Sequence, residues 1–143
     1  MSKEMKKPDP YQLSHQIGYN LRRANQRHVA IFSKHVEGLT PTQFAVLARL
    51  WECGALSQNK LGRLTAMDSA TIKGVVERLR TKGLVQSSAD QNDQRLRLVD
   101  LTQAGRAAFE VGLDQALAAR LETVEGLTPE EIEVFETLLA KLI

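Results

Sequence analysis

Cysteine is nearly absent from this chain: Cys53 stands alone among 143 residues. One thiol cannot close an intrachain disulfide or supply a multi-cysteine zinc site, so neither device is expected to hold the fold together. Long apolar runs are missing too. No stretch approaches the roughly 18 uninterrupted apolar residues of a membrane span. The opening MSKEMKKPDP lacks the apolar core of a signal peptide, so the reading is a cytoplasmic protein with no membrane partner. Catalytic patterns are equally scarce. There is no nucleophile and base pair, phosphate loop or metal-ligand spacing, and His15, His28 and His35 fall on one presumed helix. An enzyme is therefore not expected, nor is a metal or a cofactor. Only four prolines occur, and two of them, Pro41 and Pro129, stand where helices begin.

What is present is a chain long enough for one compact domain, or for a small domain with an appended dimerisation region. Its 43% hydrophobic content supports a core. The net charge of +2 hides a division. Residues 1–56 carry eight Lys/Arg against four Asp/Glu, residues 57–100 eight against five, and residues 101–143 three against eight. A basic front with an acidic tail points to a polyanion partner on one side only. Ordinary solvated charge of this size is the bland alternative, so the arrangement of the charges must decide.

Helix signals dominate. Residues 11–37 place Leu13, Ile17, Leu21, Ala24, His28, Ile31 and His35 on one face, and Gly38 ends the run. LTPTQFAVLARLWECG has Thr40 as cap, Pro41 first and Gln43 third, a capping box that predicts a helix to about Glu52. Ser57 caps a short third helix with Leu61 and Leu64 facing inward, and Asp68 caps a fourth. In that fourth helix Ile72, Val75, Val76 and Leu79 form an apolar stripe that Gly83 terminates. LVQSS and RLRLVDL, separated by ADQNDQ, read as a β-hairpin. Alternation puts Arg95 and Arg97 on one face with Leu96 and Leu98 anchoring the other. Val99 and Leu101 would share the arginine face, which predicts a bulge or an early strand end. Thr102 caps a fifth helix to about Glu125 with Phe109, Leu113, Ala116, Leu117 and Leu121 as its apolar face. Thr128, Pro129 and Glu131 repeat the capping device for a sixth, with Ile132, Phe135, Leu139 and Leu142 at heptad-like spacing.

The fold class expected is thus mainly α with a small β-hairpin wing: a winged helix-turn-helix with N- and C-terminal dimerisation helices. This motif puts its second helix into the major groove, and its hairpin can reach an adjacent minor groove. Opposite the apolar stripe of the fourth helix lie Ala70, Lys73, Gly74, Glu77 and Thr81, with Ser69 in the first turn and Thr71 and Arg78 on the flank. Small residues there allow close approach to base edges, and Lys73 and Arg78 can meet bases or phosphates. A mid-helix glycine costs about 1 kcal/mol relative to alanine, so Gly74 asks for a reason, which close approach to DNA would supply. Taken singly, Lys73, Glu77, Arg78 and Arg80 also read as a solvated helix face, with Lys73 and Glu77 an ordinary pair. Helix spacing, glycine and wing together favour DNA.

Residues 56–105, from LSQNKLGRL to LTQAG, resemble the winged helix-turn-helix core of the MarR family of bacterial transcriptional regulators. The most specific pieces are LRTKGLV at the end of the recognition helix and the wing signature Asp93-x-Arg95 followed by Leu101-Thr102. LTPTQFAVLARLWECG resembles the family's second helix, and the outer helices match in order. The wing departs from the pattern: Gln91 follows Asp90 where proline is common, and Gln94 stands where an arginine is common, leaving fewer wing charges. The resemblance implies a homodimer built from the first, fifth and sixth helices on a pseudo-palindromic double-stranded DNA operator. It assigns Arg95 to the minor groove, where a guanidinium suits the negative potential. Asp93 would orient Arg95 or close the turn. Arg97 reads as a surface strand residue.

Regulators of this resemblance commonly release DNA when a small aromatic acid or phenol binds between the dimerisation and DNA-binding regions. In the first helix Tyr11, His15, Gly18 and Arg22 follow one stripe. A guanidinium can hold a carboxylate bidentately, a glycine makes room for a ring and a histidine can bond a phenol or a carboxylate. The expected effector set is Arg22 as anchor, His28 as helper, Gly18 as space, and Tyr19 and His15. Arg22 also belongs to the basic run Arg22-Arg23-Arg27, which reads equally as solvated, and His28 alone reads as a core histidine. The organisation expected is an N-terminal dimerisation and effector helix over 1–38, a DNA-binding domain over 39–101 and C-terminal dimerisation helices over 102–143. A protein-interaction winged helix, or a redox regulator without an effector, is the alternative. Cys53, beside Gly54 and without a cationic neighbour, reads as an ordinary thiol.

Overall fold

Five of the helices start at a Ser, Thr or Asp whose side chain accepts a backbone N–H three residues on. In the computed structural model, which describes residues 4–5 and 10–143, these bonds run from Gln43 to Thr40 (3.2 Å), Lys60 to Ser57 (3.3 Å), Thr71 to Asp68 (2.7 Å), Gly105 to Thr102 (3.0 Å) and Glu131 to Thr128 (3.2 Å). Each cap is worth about 1 kcal/mol. The capping boxes expected at Thr40 and Thr128 are both formed. Among the described residues the elements are α1 (Ile17–His35), α2 (Pro41–Cys53), β1 (Leu56–Ser57), α3 (Gln58–Leu64), α4 (Ser69–Thr81), β2 (Val85–Ala89), β3 (Arg97–Leu101), α5 (Gln103–Thr123) and α6 (Pro129–Ala140). No described helix is long and apolar enough to cross a membrane.

The structure corrects the sequence reading at four places. The first helix does not run from residue 11: a 3-10 turn at Leu13–His15 is followed by extended backbone at Gln16, so His15 lies outside α1. The hairpin is joined by a third strand, β1, which pairs antiparallel with β3 through Leu56 and Val99 and gives the order β1-β3-β2. Two residues are too few to show alternation, and Ser57 is also the cap of α3. The strand β3 starts only at Arg97, and Val99 and Leu101, rather than Leu96 and Leu98, anchor it in the core. Leu96 instead stands 45% exposed in the turn. Finally, Leu64 is 36% exposed while Leu61 is buried.

A main core gathers Val46, Leu47 and Leu50 of α2, Leu61 of α3, the Ile72, Val75, Val76 and Leu79 stripe of α4, the strand residues Val85, Val99 and Leu101, and Phe109 of α5. A smaller one holds Ile31, Phe32 and Val36 against Ala119, and Phe44 and Leu39 pack on both. The fifth helix lies close to this lobe because it carries glycine where it touches. A β-carbon on Gly105 would stand 2.0 Å from the Leu84 carbonyl oxygen, and one on Gly112 2.7 Å from the Phe44 ring. Of the expected α5 face only Phe109 is buried; Leu113, Leu117 and Leu121 are exposed, and α6 buries none of its residues.

Candidate nucleic-acid interface

The polar face of α4 is displayed by what its opposite face buries. With Ile72, Val75, Val76 and Leu79 in the core, Ser69, Ala70, Thr71, Lys73 and Arg78 are turned outward and exposed. Thr71 N–H holds the Asp68 carboxylate below its ordinary pKa, so the cap stays ionised at the head of the helix. Gly74 has no neighbour that requires it: a β-carbon there would meet only Arg78 Nη1, at 3.7 Å. The backbone at Gly74 therefore lies open beside a groove of about 440 Å³ lined by Gln43, Gly74, Glu77, Arg78, Thr81 and Lys82. Among the described residues no ion pair joins Lys73 to Glu77, as plain helix spacing would allow. Arg80 is not a free surface charge, because its guanidinium donates to Ser87 Oγ at 2.6 Å and ties α4 to strand β2 of the wing.

The wing turn does without glycine and proline by using aspartate. Asp90 Oδ1 accepts from the backbone N–H of Asn92 (2.7 Å) and Asp93 (3.2 Å), and Asp93 Oδ1 accepts from Arg95 N–H (3.0 Å). These are side-chain mimics of a backbone turn. The same Asp93 oxygen receives Arg95 Nε at 3.2 Å, while the arginine side chain is 92% exposed. An exposed pair of this kind adds little stability. Its effect is directional: the Nε edge of the guanidinium is held by Asp93, and its terminal Nη groups are left to solvent. Arg97 is exposed at the start of β3.

The expected effector residues are distributed unevenly. Gly18 has nothing within 4 Å of where a β-carbon would stand, and Arg22 is exposed without a hydrogen bond or ion pair among the described residues. Tyr19 is half-buried, with the Arg23 guanidinium 5.8 Å from its ring centre. His28 alone of the five bonds to another element, its Nδ1 lying 2.9 Å from Thr123 Oγ1 on α5. His15 is exposed in the turn before α1. The network around the end of α5 has no local signal in the sequence. Arg27 donates to the carbonyl oxygens of Thr123 (2.7 Å) and Glu122 (3.1 Å), satisfying a helix C-terminus with a cation. Lys34 pairs with the Glu122 carboxylate and holds it below its ordinary pKa, and His35 Nε2 stands 3.5 Å away without hydrogen-bond geometry. The basic run thus divides: Arg27 closes α5, Arg23 covers Tyr19, and Arg22 is uncommitted.

A helix-turn-helix whose second helix shows a polar face beside an arginine-tipped wing defines a DNA-binding transcriptional regulator of winged helix-turn-helix type, not an enzyme. Comparison with known proteins then places it more closely. The model of the MarR family matches residues 39–96. The HTH-type transcriptional repressor NicR of Pseudomonas putida is 39% identical over 136 residues, covering 94% of this chain and 86% of that protein. A probable transcriptional regulator from Pseudomonas aeruginosa, solved by crystallography, superposes with a TM-score of 0.90 at 53% identity, over 92% of this chain and 100% of that one. BpsR of Bordetella bronchiseptica, whose DNA binding is described as regulated by 6-hydroxynicotinic acid, superposes with a TM-score of 0.87 at 43% identity, over 93% and 96%. This chain belongs to the MarR family.

Proposed function

We propose that the chain acts as a homodimeric repressor that binds a pseudo-palindromic operator and is released by a small aromatic acid. The observation that carries the effector half is Arg22, the uncommitted guanidinium one helical turn beyond the open backbone of Gly18. A carboxylate on a flat ring needs such a pair: two N–H donors in a fork, and room for the ring beside them. His28, held at Thr123, and Tyr19 and His15 complete the site. The named relatives support this reading, one as a repressor and one through 6-hydroxynicotinic acid.

In this reading DNA is met by Ser69, Ala70, Thr71, Lys73, Gly74 and Arg78 of α4 in the major groove. Arg95, steadied by Asp93, enters the minor groove. Twofold symmetry then sets half-sites about 34 Å apart or a multiple of it. Residues 39–101 serve as the DNA-binding unit, 1–38 as the effector and dimerisation arm, and 102–143 as dimerisation helices. The exposed Leu113, Leu117, Leu121, Val134, Phe135 and Leu138 support that last role, since apolar surface of this extent marks an interface.

The test is selection of duplexes from a random pool, followed by titration with 6-hydroxynicotinic acid. A palindromic consensus whose complex dissociates as the acid is added supports the proposal. Selected duplexes without twofold symmetry would remove the dimer, and complexes indifferent to this and other aromatic acids would remove the effector.

A further inference from the structure

The exit of the recognition helix is held by residues far away in sequence. Thr102, at the start of α5, donates its hydroxyl to the Gly83 carbonyl at 2.6 Å and its N–H to the Leu84 carbonyl at 3.1 Å. Lys82, at the C-cap of α4, in turn sends its ammonium to the connector between α1 and α2. Lys82 Nζ donates to the Gly38 carbonyl oxygen and, at 3.1 Å, to Gln43 Oε1. Gln43 is the one buried polar side chain among the described residues, at 5% exposure. Its Oε1 also accepts Thr40 N–H at 3.3 Å, so the oxygen that closes the α2 capping box is the one Lys82 grips.

We propose that Lys82 is a positioning residue for DNA recognition: it locks the end of α4 to the α1–α2 connector and so sets the angle at which the face from Ser69 to Arg78 is offered to the major groove. The inference rests on the DNA-binding reading above. A lysine on the rim of the groove beside Gly74 and Arg78 invites the simpler role of a phosphate contact. The hydrogen bonds argue otherwise. Two of the three ammonium donors are committed to oxygens of the chain itself, and the charge sits at a helix C-terminus, whose carbonyls favour a cation. Gln43, buried and neutral, has no reason to face a DNA backbone, but it has a reason to face Lys82: Thr40 N–H takes one lone pair of its amide oxygen, and the ammonium takes the second.

The two roles separate by salt dependence. A lost phosphate contact lowers the slope of log affinity against log salt by about one unit, whereas a tilted helix lowers affinity and leaves the slope alone. Affinity of the wild type for a duplex it has itself selected is measured by fluorescence anisotropy at several salt concentrations, with K82Q, K82R, Q43M and the K82Q/Q43M pair alongside. K82Q is expected to bind roughly tenfold more weakly with an unchanged slope, and K82R, which keeps the donors, to recover most of the loss. Q43M removes no charge, yet it should weaken binding in the same direction, and the double variant should be little worse than K82Q because the two residues share one interaction. Hydrogen exchange reads the same tie without DNA: the amides of Gln43 and Phe44 in the first turn of α2 should exchange faster in K82Q. A slope lower by one unit with Q43M harmless would make Lys82 a phosphate contact and overturn the proposal, as would unchanged affinity and exchange in K82Q. If Q43M does not fold, K82Q and K82R decide between them. If the wild type selects no duplex, the DNA-binding reading fails by itself and exchange alone decides whether Lys82 ties the connector.

Discussion

The winged-helix lobe and the helices that flank it treat apolar side chains in opposite ways. Between α2 and β3 nearly every large apolar residue is spent inside: Val46, Leu47, Leu61, Val76 and Leu79 are wholly buried, and Trp51, Leu64 and Leu96 are the exceptions. On α1, α5 and α6 the proportions reverse, with Ile17, Leu21, Leu113, Leu117, Leu121, Val134, Phe135 and Leu138 all at least 45% exposed. The first region buries its apolar residues within one copy, with Phe109 of α5 completing its core, while the second leaves most of its own in solvent, where the proposed homodimer would cover them. For the proposed homodimer the contrast separates two kinds of stability, one intrinsic to the chain and one that depends on concentration.

The largest effect expected from breaking this contrast is on the closed side. Leu47→Ala should cost about 2 to 5 kcal/mol in urea unfolding, because the site is packed from all sides and cannot collapse. The loss should be the same at low and high protein concentration. On the open side, Leu117→Glu with Phe135→Glu should raise the dimer dissociation constant about 100-fold or more in sedimentation while the winged-helix lobe stays folded. A dimer that survives both charges would place the interface elsewhere. The seam between the regions is sharpened by Gly105→Ala: the Leu84 carbonyl must move to admit the methyl group, and a loss of about 1 to 3 kcal/mol should appear in thermal unfolding.

The smallest effect is that of acid. Asp68 in the closed lobe and Glu122 in the flanking helices both ionise below their ordinary values, the first through Thr71 N–H and the second through Lys34. A depressed carboxylate stabilises fully above its unfolded-state pKa, about 4 for both, and that stability is lost as pH falls through the lower folded value. Asp68→Asn and Glu122→Gln should therefore each lower the melting temperature slightly at neutral pH and flatten its fall below about pH 4 by the same small amount, both groups being at the surface.

What was legible in the sequence was decided locally. Thr40 with Gln43 and Thr128 with Glu131 announced helix starts because a cap is satisfied within four residues, and the stripe from Ile72 to Leu79 announced both the buried and the offered face of α4. The wing's turn chemistry is readable at Asp93 and Arg95 but its register is not, because the turn extends through Leu96, whose carbonyl accepts Asp90 N–H at 2.9 Å. Periodicity showed which face of α1 is apolar but not that the backbone opens at Gln16. What escaped altogether joins distant residues. Arg27 with Thr123, Lys34 with Glu122 and Lys82 with Gly38 are 96, 88 and 44 positions apart, and no local pattern distinguishes those cations from solvated ones. On α1 the same bonds leave Arg22 as the arginine without a partner among the described residues.

The most direct test crosses Arg22 with Arg95. Binding of fluorescent operator is followed by anisotropy for wild type, Arg22→Ala and Arg95→Ala, each with and without 6-hydroxynicotinic acid. Arg95→Ala is expected to bind DNA about tenfold more weakly yet still to be released by the acid, whereas Arg22→Ala is expected to bind with wild-type affinity and no longer to be released. An Arg22→Ala variant that still lets go of DNA when the acid is added would remove Arg22 from the effector site.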